Sequence, residues 1–174
     1  MVIDMGYPQK YETHITLGSG EELFLRPVKT TDIELVIDFY RKLSPRTKYL
    51  RFFTPKKEAR VDRVKRFTTV DYKKSMVIVA IYNSKIVGAA RYDWDDEEKG
   101  LELAETVRDD WQGKGLGTIL FKYIVSIAKD NGFKTMTALI LDENKKALSI
   151  LKKTVGDLRM KYESNFIRAT FDIK

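Results

Sequence analysis

An α/β fold built on a largely antiparallel sheet is the class this sequence predicts. Three observations carry that expectation. Extended runs, apolar or alternating, recur along the whole chain, and amphipathic helical stretches lie between them. A glycine-rich turn, Trp111-Gln112-Gly113-Lys114-Gly115-Leu116-Gly117-Thr118, stands where a strand passes into a long helix. Residues 101–107 read as that strand. Beyond the turn, Leu116, Ile119, Leu120, Tyr123, Ile124, Ile127 and Ala128 share one helical face.

Taken in order, residues 11–17 read as a strand, Gly18-Ser19-Gly20 as a turn and residues 22–26 as the hairpin partner, stopped by Pro27. Residues before Gln9 read as a loose terminus. Thr31 and Glu34 have the spacing of a capping box and open a helix with Ile33, Val36, Ile37 and Tyr40 on one face. Ser44-Pro45 supplies an N-cap and a proline at the first helical position, for a second helix that runs to the Thr54-Pro55 break. A third helix, from about Glu58 to Thr68, carries Val61, Val64 and Phe67 at helical spacing.

Residues 75–82 are continuously apolar, as in a central strand covered on both faces. Asn83-Ser84 turns the chain into a second strand, residues 85–92, and an acidic run at 93–98 separates it from a third, residues 101–108. Asn131-Gly132 ends the long helix. Residues 134–141 then form a strand, Asp142 caps a helix through Thr154, and residues 159–164 and 166–173 form a closing hairpin.

At 174 residues and 43% hydrophobic content, one compact domain with a sizeable core is expected. No apolar run approaches the ~20 residues that span a bilayer, and residues 1–6 lack the basic start and apolar middle of a signal peptide. A cytoplasmic protein with no membrane partner fits. With no cysteine and one histidine, His14, disulfides, a Cys nucleophile and multi-histidine metal centres are excluded. No metal is expected. The net charge of +7 favours polyanions, a phosphate-rich cosubstrate among them. No RNA-recognition signature or zinc-finger spacing is present, so specific nucleic-acid binding is not expected.

Glycines at a strand-to-helix turn let backbone approach a ligand closely, and the helix start offers unpaired N–H groups at the positive end of its dipole. That is a phosphate grip. A P-loop requires Ser or Thr after Gly-Lys, but Gly115 follows Lys114; a dinucleotide fingerprint requires G-x-G-x-x-G, but Gly113, Gly115 and Gly117 alternate. The pattern Q/R-x-x-G-x-G/A fits, through Gln112, Gly115 and Gly117. In this the sequence resembles the GNAT superfamily of N-acetyltransferases, whose equivalent loop binds the pyrophosphate of acetyl-CoA. The element order is similar to the GNAT fold from about Leu23 to the end. On that basis residues 21–174 form one GNAT domain, a mostly antiparallel mixed sheet flanked by helices, and residues 1–20 an N-terminal extension with an added hairpin strand.

The resemblance implies acetyl-CoA as cosubstrate. Backbone of Glu105, Thr106 and Val107 would run beside the pantetheine arm, with a nearby N–H polarising the thioester carbonyl. Amides of Gln112, Gly113, Lys114, Gly115, Leu116, Gly117 and Thr118 would hold the pyrophosphate. The Lys114 side chain either adds a contact there or faces solvent. Asn144 matches the superfamily asparagine near the pantetheine.

An acceptor amine is mostly protonated at neutral pH, so a base beside the cosubstrate has value. Glu102 and Glu105 both precede the glycine turn, on opposite faces of their strand. Glu102-Leu103-Ala104, then Val107-Arg108-Asp109-Asp110-Trp111-Gln112, resembles the Pat-type protein lysine acetyltransferases. So do Leu25-Arg26-Pro27-Val28 and Leu43-Ser44-Pro45-Arg46-Thr47-Lys48-Tyr49-Leu50-Arg51-Phe52-Phe53. That resemblance puts the catalytic glutamate on Glu102 and makes a lysine-bearing protein the favoured acceptor. A small amine, or a non-catalytic acyl-CoA or nucleic-acid binding role, are the rival readings. The sequence departs from the superfamily seven residues after Asn144, where Leu151 occupies the usual tyrosine position. Tyr123, Tyr162 or water are then the candidates for protonating the thiolate. The acidic run 93–98 and Trp94 either attract and wall a cationic acceptor or form a solvated hairpin tip.

Overall fold

A computed structural model describes residues 6–54 and 59–174. Its strands are β1 (Thr13–Thr16), β2 (Glu22–Pro27), β3 (Ser75–Tyr82), β4 (Lys85–Asp95), β5 (Gly100–Val107), β6 (Thr135–Leu141), β7 (Arg159–Glu163) and β8 (Phe166–Asp172). The helices are α1 (Ile33–Arg41), α2 (Pro45–Phe52), α3 (Val61–Thr68), α4 (Leu116–Asp130) and α5 (Lys145–Thr154). The strands form one sheet in the order β1-β2-β3-β4-β5-β6-β8-β7. Neighbours are antiparallel except β5 and β6, which run parallel because α4 carries the chain across between them.

The continuous apolarity of β3 is explained by cover on both faces. Met76, Ile78 and Ala80 pack with Leu120, Ile124 and Ile127 of α4 in one core. Val77 and Val79, on the alternate face, pack with Val36 and Phe39 of α1 and Val64 of α3 in the other. Strand periodicity thus sorts one run of residues between two cores, and the sheet is the middle of three layers. Asn83 and Ser84 take φ of 46° and 59°, the left-handed pair that a tight hairpin needs.

Several local expectations are corrected. The terminus is not loose from Tyr7 on, since its hydroxyl donates to Glu12 at 2.8 Å and its ring meets Tyr72 edge-on. β2 ends at Pro27 as expected, but Pro27 itself is still paired, with Ile78. No Thr31–Glu34 capping box forms. Asp32 instead organises the start of α1, accepting the Lys29 N–H at 2.7 Å and holding both terminal nitrogens of the Arg26 guanidinium at 2.7 and 2.8 Å. Val61 faces solvent, 57% exposed, while Val64 is buried. Glu58, expected near the start of α3, lies outside the described residues. β4 continues through Asp95, so half of the acidic run is strand rather than loop. The N-cap of α5 is Asn144, not Asp142.

Candidate active site

The site begins where the sheet comes apart. β5 and β6 pair only at Leu101↔Met136, Glu102↔Thr137 and Leu103↔Ala138; beyond that register the two strands diverge. The other edge of β5 stays zipped to β4 as far as Gly88↔Val107, and the Arg108 N–H donates to the Val87 carbonyl at 2.9 Å. Because backbone groups alternate sides along a strand, those of Thr106 turn toward β4, whereas those of Glu105 and Val107 turn into the cleft. Of the three residues expected along the pantetheine arm, two therefore present backbone there.

The loop closing the cleft is held by side chains. Gln112 donates Nε2–H to the Val107 carbonyl at 3.0 Å and to Thr47 Oγ1 at 3.2 Å, and its Oε1 accepts from Lys146 Nζ at 3.0 Å. One glutamine thus clasps β5, α2 and α5 together. Asp109 accepts from the Ser44 N–H at 2.9 Å, Ser44 Oγ at 2.6 Å and Thr47 Oγ1 at 2.7 Å. Ser44 is also the expected N-cap, accepting the Thr47 N–H at 3.1 Å. Gly113 and Gly115 have φ of 76° and 85°, a conformation that favours glycine, and no side chain caps α4. The N–H groups of Leu116, Gly117 and Thr118 consequently have no acceptor within the helix. An open strand edge leading to uncapped amides at a helix start fits an extended ligand that ends in a diphosphate.

The remaining expected residues have the following surroundings. Lys114 is ion-paired with Glu21 and stands 5.2 Å over the Trp111 ring. The hydrogen bond from Lys114, more than that from Ser19, pushes the Glu21 carboxyl down to about 2. Leu116 is buried in the core and has only its backbone to offer. The Asn144 side chain accepts the Ala147 N–H at 3.3 Å, the cap of α5. Tyr123 donates its hydroxyl to the Tyr11 carbonyl at 2.8 Å, and Tyr162 is 66% exposed on the edge strand β7. Neither tyrosine reaches the cleft.

Glu102 and Glu105 do lie on opposite faces. Glu102 is exposed and faces the α1–α3 side, in a cavity of about 430 Å³ lined also by Arg51, Arg91, Asp93, Trp94 and Ala104. Among the described residues it makes no ion pair, so the cross-strand salt bridge its position allows is not formed. Arg91 is taken by Asp93 through Nε at 2.6 Å. Asp95 accepts the N–H groups of Glu97 and Glu98, and Asp96 accepts Trp94 Nε1–H at 3.0 Å, so part of the acidic run braces its own turn. Arg51 lines both this cavity and an apolar one of about 420 Å³ beneath α1 and α3. Burial, with repulsion from Arg91, lowers its pKa to about 10 against the pull of Glu102 and Asp93. Sequence reasoning singled out neither arginine; the alternation of Arg91 and Asp93 along β4, opposite Glu102, was the available signal.

Glu105 faces the other way, under α4. Its Oε1 lies 2.8 Å from the point where a Cβ on Gly117 would stand, and its Oε2 is buried without a hydrogen-bond partner. Burial raises this carboxyl from 4.5 to about 8. It is thereby held toward the protonated form, and it does not line the cavity of Glu102. Among the described residues no group of three or more His, Cys, Asp or Glu is placed to hold a metal, and no helix is long and apolar enough to cross a membrane.

A family pattern described as Acetyltransferase (GNAT) family matches residues 37–156. Acetyltransferase PA5475 of Pseudomonas aeruginosa is 34% identical over 125 residues, 70% of this chain and 67% of that protein. Acetyltransferase Pat of Mycolicibacterium smegmatis is 29% identical over 133 residues, 75% of this chain but only 40% of its own length. Among solved structures, the GNAT domain of S. lividans PAT superposes with a TM-score of 0.90 at 26% identity, covering 95% of this chain and 99% of that domain. With its splayed parallel pair, glycine cradle and eight-stranded mixed sheet, the chain belongs to the GNAT family of acetyltransferases.

Proposed function

We propose that this enzyme uses acetyl-CoA to acetylate a primary amine, favouring a lysine side chain on a protein, by direct transfer in a ternary complex. The observation that carries the reading is the division of β5: Glu102 stands without an ion pair in an open cavity, and three residues on the strand has a free backbone edge leading to uncapped amides. Acetyl-CoA supplies an acyl carbon activated as a thioester. In this reading the Glu105 N–H, on the cleft side of β5, donates to the carbonyl oxygen as charge develops there. Glu102 takes the proton of the attacking amine, directly or through a water. The loop amides hold the diphosphate and fix the long axis of the cosubstrate. No step invokes a metal. Residues 21–174 would make up the transferase domain and residues 1–20 an N-terminal addition, in a protein acting in the cytoplasm.

The resemblance of Glu102-Leu103-Ala104 and of residues 43–53 to the Pat-type protein lysine acetyltransferases supports the protein acceptor. One observation favours a small cationic amine instead: Asp93, Asp95, Asp96 and Glu97 line the same cavity as Glu102. Thiol release from acetyl-CoA, with lysate protein and a small-amine panel as acceptors, separates the two. Glu102→Gln should lower kcat by about 10²–10⁴-fold while CoA binding persists. Tight CoA binding without turnover on any acceptor would replace the enzyme by an acyl-CoA sensor, and salt-dependent DNA binding without turnover by a nucleic-acid module.

A further inference from the structure

We propose that Glu105 is the acid that protonates the sulfur of departing CoA, in the place that Leu151 leaves without a proton donor. The inference rests on the acetyltransfer reading above. The backbone of Glu105 borders the cleft, while its side chain drops from that edge beneath the first turn of α4. The position a Gly117 Cβ would take is 2.8 Å from Glu105 Oε1 and 3.2 Å from Ile150 Cδ1. The carboxyl therefore sits where β5, α4 and α5 converge, beside the residue preceding Leu151. Leu151, at the family's usual tyrosine position, is the next residue along α5.

Its surroundings keep it protonated. Around the Gly117 position beside it stand Val107 of β5 and Ile150 of α5, neither ionisable, and burial is the one cause of its raised pKa. The cations of the adjoining segments have other partners: Lys114 with Glu21, Lys146 with Gln112, Arg108 with Asp110. A carboxylate buried without a partner would be costly, so the folded chain retains the proton on a group whose Oε2 has nothing to bond. Titration near 8 matches an acid poised to protonate a thiolate, since a thiol titrates near ~8.5 in water.

The step balances as follows. The amine nitrogen forms its bond to the acyl carbon and gives its proton to Glu102. The C–S bond breaks with its electron pair on sulfur, and the Glu105 carboxyl gives sulfur its proton. CoA leaves as the thiol; Glu105 regains a proton from water and Glu102 releases one to water.

The test pairs wild type with Glu105→Gln, an isostere that preserves the shape and neutrality of the buried group. Three quantities are read: kcat against pH, CoA affinity by calorimetry, and the titration of ¹³C-labelled glutamate carboxyls in the free enzyme. The expected result is a kcat about 10²–10³-fold lower in the variant, with CoA affinity within about threefold because the loop amides are untouched. Wild-type kcat should decline above pH about 8, in step with a carboxyl resonance titrating there that the variant lacks. A variant that keeps the wild-type kcat and its alkaline decline overturns the proposal. So does a Glu105 carboxyl that titrates near the ordinary 4.5. Wild type without turnover on any acceptor would sink the underlying acetyltransfer reading before the variant is compared.

Discussion

Gly117→Ala tests the packing that places Glu105. The added methyl would lie 2.8 Å from Glu105 Oε1, 3.2 Å from Ile150 Cδ1 and 3.8 Å from Val107 Cγ2. The first distance is far inside van der Waals contact, so something must move. A surface carboxylate would swing away at little cost. This one lies beneath α4 with Oε2 buried and unpartnered, so we assign about 1–2 kcal/mol, the lower half of the usual overpacking range. Alanine in a helix gains about 1 kcal/mol over glycine. The net effect in wild type is then a loss of about 0–1 kcal/mol. In a Glu105→Ala background the closest clash is gone while the helical gain stays, so the same substitution should stabilise by up to about 1 kcal/mol. The coupling between the two sites is thus about 1–2 kcal/mol, well above the few tenths expected of independent positions. Urea unfolding of the four proteins measures it. Additive effects, or a loss from Gly117→Ala that is equal in both backgrounds, would refute the placement of the carboxyl under α4.

Three further outcomes follow from the same geometry. The folded Glu105 carboxyl holds a proton up to pH about 8 that the unfolded chain releases near 4.5. Its contribution is therefore fully present below pH 4.5 and is lost as pH rises to 8, at up to about 1.4 kcal/mol per pH unit; Glu105→Gln should flatten that slope in denaturation series across the window. Asp32→Ala leaves the Arg26 guanidinium, whose side chain is only 10% exposed, without its carboxylate, and should cost about 3–5 kcal/mol in unfolding free energy. Asp109→Ala removes the acceptor of three hydrogen bonds from Ser44 and Thr47 and should cost about 1–2 kcal/mol, with faster amide exchange at the start of α2.

Much of this protein was legible before any coordinates. The apolar run in β3, the Asn83-Ser84 turn, the Ser44-Pro45 cap and the amphipathic face of α4 are local patterns, set by periods of 2 and 3.6 residues and by the backbone preferences of a few residue types. The glycine turn and the opposite facing of Glu102 and Glu105 belong to the same class, because strand alternation is a property of the strand alone. The resemblance of the Gln112 loop to that of the GNAT superfamily was likewise readable, and the family comparison bears the family out.

What the sequence could not decide depends on partners distant along the chain. The Lys114 side chain reads as a phosphate contact or a solvent-facing lysine until folding brings Glu21 beside it, 93 residues away in sequence. Asp32 outcompetes Thr31 and Glu34 as the organiser of α1 because Arg26 is buried against it. Gln112 becomes a clasp only once α2 and α5 meet at the end of β5. Glu105 looks in sequence like any strand carboxylate. Its proton is held by what folding removes, namely water, and only packing β5 against α4 and α5 removes it. Local periodicity thus determined the elements and the faces of their residues, while the charge state and partners at the site were decided by tertiary contact, since desolvation and pairing are properties of the surroundings and not of the residue.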